Sequence, residues 1–250
     1  LEIVRGPKGM EAGFFYMKHS SVWAPEPLRR VNIREKKKVG EYLVADSPEA
    51  VIALAQMDVL EIHTWNSTDG NVERPDRIVM DIDPGEQVGW AEVVECARLL
   101  RSIFERLDLE SYVKTTGGSG LHVAVPLQPA LDWSECLALA KGVAERLVGL
   151  DPSRFTTSFP KAGRTRKILI DYLRNNRTNT SVAAYSSRAR PGATVSVPLG
   201  WRELSPAKPP SLFTVRTVPR RLEKLAKDPW ADYWRRPQRI SRSAIKAVSG

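Results

Sequence analysis

An α/β protein, one sheet system with helices on at least one face, is what this sequence predicts. Three observations carry that expectation. Short apolar segments rich in β-branched residues recur along the chain. Long amphipathic patterns of helical period are interleaved with them. No internal repeat or low-complexity linker interrupts the series. The 250 residues, 42% hydrophobic and including seven Trp, suffice for a substantial core and exclude a disordered chain.

The elements follow in order. Residues 14–17 and 42–45 read as short strands. "DSPEAVIALAQMDV" offers Ser47 as an N-cap and Pro48 at the first helical position, ahead of apolar helical spacing. "LEIHTW" (60–65) alternates as a strand does, and "RIVMDID" (77–83) is the next strand. "GWAEVVECARLLRSIFERLD" (89–108) is a long amphipathic helix. "SYVKTT" (111–116) and "LHVAVPL" (121–127) are strands joined by Gly117-Gly118-Ser119-Gly120. "DWSECLALAKGVAERLVGL" (132–150) is a second long helix, capped by Asp132. "KILIDYL" (167–173) is a strand. Residues 201–250 form a polar, Trp-rich end with a short helix near 219–227, expected as a peripheral subregion of the same domain.

Cys96 and Cys136 both fall inside helical patterns and read as small core residues. Neither has a partner at metal-ligand spacing and no disulfide framework exists, so a reducing cytoplasm is the expected compartment. No apolar run approaches the roughly 18 residues of a membrane span. The opening "LEIVRGPKGM" lacks both Met and a signal-peptide pattern, as expected of a piece of a longer chain. Lys and Arg number 38 against 29 acids, a formal charge of +9. Such a balance favours a polyanionic partner, nucleic acid ahead of an anionic membrane.

The strand "RIVMDIDPGE" ends in two acids. Alternate side chains on a strand share a face, so Asp81 and Asp83 point the same way, with backbones about 6.6 Å apart. Like charges at that range repel unless something positive sits between them, and hard divalent cations take oxygen ligands of this kind. Asp171 stands at the exit of another apolar strand, in "ILIDYL". If the two strands are neighbours, three carboxylates converge as in sites that hold two cations for in-line nucleotidyl transfer. A solvated strand end running into a Pro-Gly turn is the plainer reading of the same acids.

In "KTTGGSGLHVAVPL", three glycines within four residues let the backbone approach a ligand closely, and successive N–H groups can cradle an anion. Thr115, Thr116 and Ser119 add hydroxyls, Lys114 adds charge, and His122 could donate to a phosphate oxygen. An ordinary glycine-rich hairpin accounts for the same residues. The loop is not a Walker A motif, because no Gly-Lys-Ser/Thr closes it. "KAGRTRK" (161–167) precedes the Asp171 strand, while Arg174, Arg177, Arg188 and Arg190 follow it. Such groups would offset a triphosphate's charge. "LRRVNIREKKK" (28–38) reads as a surface basic run suited to backbone phosphates, or as a plain solvated loop.

Together, "MDIDPGE", "KTTGGSGLHV", "IDYLRNNRTNTSVAAYSSRARPGATVSVPL" and the late "DPWADY" resemble, in order and spacing, the polymerase domain of bacterial DNA ligase D. That domain belongs to the archaeo-eukaryotic primase superfamily and serves non-homologous end joining. The likeness runs from about residue 4 to 235. It implies a primase-type core, an RRM-like antiparallel sheet flanked by helices, in one catalytic domain over residues 1–250 whose N-terminal part is missing. It makes Asp81, Asp83 and Asp171 the catalytic acids, holding two divalent ions, Mn2+ or Mg2+. It assigns Phe15 to the nucleotide base, Thr116, His122 and Arg188 to the nucleotide's phosphates, and Ser119 and the basic Lys167 to the nucleotide site as well. Lys18, Arg164, Arg174 and Arg177 become DNA contacts, and His19 continues the motif of Phe15. Two residues depart from the family pattern. Thr116 stands where Ser is usual and keeps the hydroxyl; Ser119 stands where Lys is usual and removes a charge from the loop. The family's N-terminal stretch, with its lysine for a 5′-phosphate, has no counterpart here.

The expected activity is gap filling and 3′-end extension at DNA double-strand breaks, preferring ribonucleotides. The expected partners are gapped or broken DNA, nucleoside triphosphates, Ku and a ligase domain, in the bacterial nucleoid. A true primase that starts chains unprimed and a non-catalytic DNA-end-binding module are the rival expectations.

Overall fold

The computed structural model describes residues 1–9, 13–20, 23–160, 163–241, 244–245 and 248. Lys161 and Ala162, the start of the basic segment before Asp171, lie outside the described residues. The elements in chain order are β1 (Glu2–Arg5), β2 (Phe15–Met17), β3 (Arg29–Arg34), β4 (Val39–Val44), α1 (Pro48–Gln56), β5 (Val59–Thr64), β6 (Arg77–Pro84), α2 (Trp90–Glu105), β7 (Tyr112–Thr115), β8 (Leu121–Pro126), α3 (Trp133–Leu150), β9 (Phe155–Thr156), β10 (Ile168–Asp171), β11 (Ser181–Val182), β12 (Pro198–Leu199) and α4 (Val218–Lys224).

Local chemistry starts the helices where the sequence places them. Ser47 Oγ accepts from the N–H of Ala50 at the head of α1, at 3.1 Å. At α3, Asp132 accepts from Glu135 N–H (2.9 Å) while Glu135 reaches back to Asp132 N–H (2.8 Å), a reciprocal cap. Cys96 and Cys136 are fully buried on α2 and α3. Among the described residues no helix is long and apolar enough to cross a membrane.

Six strands form the main sheet in the order β12-β7-β8-β6-β10-β9, antiparallel except for β9 with β10. A second sheet runs β11-β5-β1-β2, and β3 pairs with β4 as a separate hairpin. The period-2 pattern of the central strands sorts their side chains by face. Ile78, Met80 and Ile82 of β6, Leu121, Val123 and Val125 of β8, and Ile168 and Ile170 of β10 pack with α2 and α3 in one apolar core. The residues between them face the other way. There Val79, Tyr112 and Ala124 are covered by Tyr233 and Trp230, and the acids continue beyond that cover.

Two expectations need correction. The basic run at 28–38 is not a plain loop: residues 29–34 are β3, with Leu28 and Ile33 buried and Arg29, Arg30 and Arg34 exposed. The strand expected to reach residue 173 ends at Asp171, because Asp171 Oδ1 accepts from Leu173 N–H at 2.8 Å and turns the chain into a 3-10 segment, Leu173–Asn175. The first strand, β1, carried no sequence signal strong enough to anticipate. Within 201–250, Leu204, Phe213 and Val218 are buried in the main core.

Candidate active site

The antiparallel register sets Lys114, His122, Asp81 and Asp171 opposite one another, one per strand, across β7, β8, β6 and β10. This row lies on the sheet face away from the helices. Asp83 is two residues further along β6, on the same side. The sequence expectation that the strands of Asp81 and Asp171 are neighbours is met, and both carboxylates are nearly buried, 8% exposed each.

Two acids face to face in a poorly solvated place require a cation. Arg174 provides it: its Nε lies 3.0 Å from Asp81 Oδ2 and 3.2 Å from Asp171 Oδ2. Arg164 Nη1 stands 3.5 Å from Asp83 Oδ2. His122 Nε2 is 3.5 Å from Asp81 Oδ1. Burial raises the Asp81 pKa, but His122 and Arg174 outweigh it and hold the carboxyl well below the usual range. Burial, then the charge on Asp81, raise Asp83. Burial also raises Asp171, against the pull of Arg174. The His122 imidazole is driven down to about 4 by burial and then by Lys114, so it is neutral at pH 7.

Among the described residues no group of three His, Cys, Asp or Glu side chains is disposed to hold a metal ion as the side chains lie. The disposition of Arg174 explains this, since one guanidinium nitrogen takes the point on which two carboxylate oxygens converge. The donor set nonetheless fits a hard divalent cation. It is all oxygen, two of its members already share one positive charge, and the third stands two residues away.

A cleft of about 310 Å³ opens over the Asp81 and His122 part of this row. One wall is the glycine loop, the other the β5 and β11 edge of the second sheet. Gly117 has φ of +69°, and a Cβ on Gly120 would stand 2.1 Å from Ile82 O, so the loop lies directly against β6 only because these positions are glycine. Thr116 Oγ1 donates to Gly120 O (3.2 Å) and accepts from Gly118 N–H (3.1 Å), bracing the loop. Arg188 Nη1 donates to Thr116 O (2.7 Å), Arg190 Nη1 donates to Gly117 O (3.3 Å), and the Thr194 hydroxyl also donates to Gly117 O.

Of the residues singled out in the sequence, Asp81, Asp83, Thr116, Ser119, His122, Arg174, Arg188 and Arg190 line the cleft; Asp171, paired with Arg174, does not. Lys167 does not join them; its Nζ donates to Pro152 O at 2.8 Å. Arg177 pairs with Glu73 at 2.6 Å and lies over the Trp65 ring. Lys18 pairs with Glu35 at 3.4 Å, and His19 Nε2 lies 2.8 Å from the same carboxylate. Phe15, on β2, is 62% exposed, while the Tyr16 hydroxyl beside it donates to buried Glu2. Lys114 is not a surface charge for phosphate. It is buried, donates to Val182 O (2.8 Å) and Ser196 Oγ (2.6 Å), and burial lowers its pKa to about 7.

Sequence reasoning missed Glu61 and His63, which alternate on β5, and Thr180 and Ser181. His63, Thr180 and Ser181 line the cleft. The signal was present in "LEIHTW", where an acid and a histidine share one strand face, but that pattern reads equally as a solvated edge.

The family model described as "LigD, primase-polymerase domain" matches residues 1–230. A Pseudomonas aeruginosa protein, "Multifunctional non-homologous end joining protein LigD", is 38% identical over 242 residues, covering 96% of this chain and 29% of that protein. "Bifunctional non-homologous end joining protein LigD" of Bacillus subtilis is 29% identical over 97% of this chain and 39% of its own length. Among solved structures, "Polymerase Domain from Mycobacterium tuberculosis Ligase D in complex with DNA" superposes with a TM-score of 0.87 at 29% identity, covering 95% of this chain and 85% of that one. The chain thus spans less than a third of the Pseudomonas relative.

Proposed function

The chain belongs to the LigD primase-polymerase domain family, and from that premise we propose that it is a template-directed nucleotidyltransferase that fills gaps and extends 3′ ends at DNA double-strand breaks. Its substrates are nucleoside triphosphates, ribonucleotides by preference, and its work in non-homologous end joining is done beside a ligase domain and Ku on nucleoid DNA. The observation that best supports the reading is the facing pair Asp81 and Asp171, with Asp83 at hand, beside a glycine loop whose carbonyls are held by arginines.

Asp81, Asp83 and Asp171 would hold two divalent ions, Mn2+ or Mg2+, which when bound would activate the primer 3′-hydroxyl and offset the charge of departing pyrophosphate. The protein's own groups do the rest. Arg188 and the loop N–H groups meet the triphosphate, and Arg174, released from the acids, becomes a further phosphate contact. Neutral His122 keeps Asp81 oriented without competing for it as a cation. Phe15, exposed on a strand anchored through Tyr16, offers a ring on which the incoming base stacks.

Primer extension on a gapped, 5′-phosphorylated duplex with Mn2+ tests this, with ribonucleotides and deoxyribonucleotides compared. Wild type should add nucleotides. Asp81→Ala and Asp83→Ala should add none while DNA affinity stays within about threefold, because the acids do not contact backbone phosphates. A wild type that binds the duplex and adds nothing would favour a DNA-end-binding module instead.

A further inference from the structure

Glu61 is a buried acid, 8% exposed, on β5 beside two residues of the cleft lining, His63 and Arg188. Its Oε2 lies 2.8 Å from His63 Nε2 and 3.0 Å from Arg188 Nε, and its Oε1 accepts from the N–H of Ala189 at 2.8 Å. Burial alone would raise this carboxyl; the bonds from His63 and Ala189 and the charge of Arg188 instead lower it to about 2. Both residues it holds, His63 and Arg188, line the cleft. Arg188 is held from the other side as well, through Nη1 to Thr116 O at 2.7 Å. It is therefore held between two elements far apart in the chain, by an ion pair to β5 and a hydrogen bond to the glycine loop, and its Nε, buried and without a hydrogen-bond partner, is held by charge alone.

We propose that Glu61 is a positioning residue for the triphosphate: its carboxylate fixes Arg188 and His63 in the cleft wall before substrate arrives. This rests on the nucleotidyltransferase reading for the identity of the ligand, but the geometry speaks to any polyphosphate. A free arginine side chain must lose its rotamer freedom on binding; one already clamped has lost it on folding. The arrangement also accounts for an acid placed among phosphate contacts, where it would otherwise repel the ligand. Its charge is spent on two cation-capable neighbours and one backbone donor.

The test uses inorganic tripolyphosphate as the probe, titrated by calorimetry into wild type, Glu61→Gln, Glu61→Asp, Arg188→Ala and the Glu61→Gln/Arg188→Ala double variant, each first checked for folding by circular dichroism. Glu61→Gln should weaken tripolyphosphate binding about tenfold, the size of one lost charge-assisted contact. Glu61→Asp, which keeps charge and loses reach, should fall between. The double variant should lose clearly less than the sum of the two single losses, since Glu61 acts in large part through that arginine. In primer extension the KM for nucleotide should rise in Glu61→Gln with kcat less affected. Unchanged or tighter tripolyphosphate binding in Glu61→Gln, additive losses in the double variant, or no binding by wild type would each overturn the proposal. Tripolyphosphate binding by a wild type that extends no primer would leave it standing and sink the polymerase reading alone.

Discussion

Arg174 is the residue on which the central row depends. It is the shared counter-charge of Asp81 and Asp171, and it is only partly buried, so water screens some of what it contributes. In metal-free buffer Arg174→Ala should therefore cost about 1–3 kcal/mol, less than a fully buried pair would. Urea midpoints in EDTA measure this; an unchanged midpoint would mean the two carboxylates tolerate each other unaided. The acids themselves were legible in the sequence, because an apolar strand that ends in Asp-x-Asp has no packing reason to do so. The need for a positive partner was legible too. Its identity was not, since the turn that delivers Arg174 depends on Asp171 capping Leu173 N–H. Lys114 shows the opposite failure. Its charge suggested a surface contact, but the acceptors that bury it, Val182 O and Ser196 Oγ, are 68 and 82 residues away in the chain.

Strands and helices with strong periods were readable from their spacing: α1 and α3 begin at their caps Ser47 and Asp132, α2 follows its amphipathic pattern, and β6, β7 and β8 lie where the apolar runs are. The arginine-rich β3 was not readable. Only its inward positions are apolar, and it becomes a strand by pairing with β4 along its whole length. One joint between elements escaped notice altogether. β10 pairs with only the Asp81–Pro84 half of β6. Next to the other half, the side chain of Asn175 takes the place of a strand: Oδ1 accepts from Val79 N–H at 2.8 Å and Nδ2 donates to Val79 O at 2.7 Å. Its Nδ2 also donates to Tyr172 O at 2.9 Å, tying the turn after Asp171 to β6. Asn175→Ala would strand two buried backbone groups, a loss of about 2–4 kcal/mol. Denaturant unfolding reads it directly. A cost below about 0.5 kcal/mol would show that the amide is incidental to the sheet.

Over the whole molecule, charge and architecture meet at the cleft. The formal excess of +9 was evident from the sequence, but its distribution was not. Many cations are spent locally: Arg154 on Glu95, Arg177 on Glu73, Arg221 on Glu203 and Lys227 on Asp232. At the cleft Arg174, Arg188 and Arg190 converge from the segment that links β10 to β12, but Arg174 faces Asp81 and Asp171 and Arg188 faces Glu61, so their charge is matched by acids until a divalent ion or a ligand engages those acids. Arginines that engage a phosphate backbone release counterions, and each neutralised phosphate of a duplex adds about −0.9 to the slope of log affinity against log salt. Contact with even four phosphates would then weaken DNA binding by more than about a hundredfold between 50 and 200 mM salt. Fluorescence anisotropy on a gapped duplex across that range measures the slope. Replacing Arg190 with Ala should make it shallower by roughly one phosphate if this arginine reaches the backbone. Affinity that stays level with salt would mean that the duplex is held by shape and base contacts, and that the positive charge of the cleft serves the nucleotide alone.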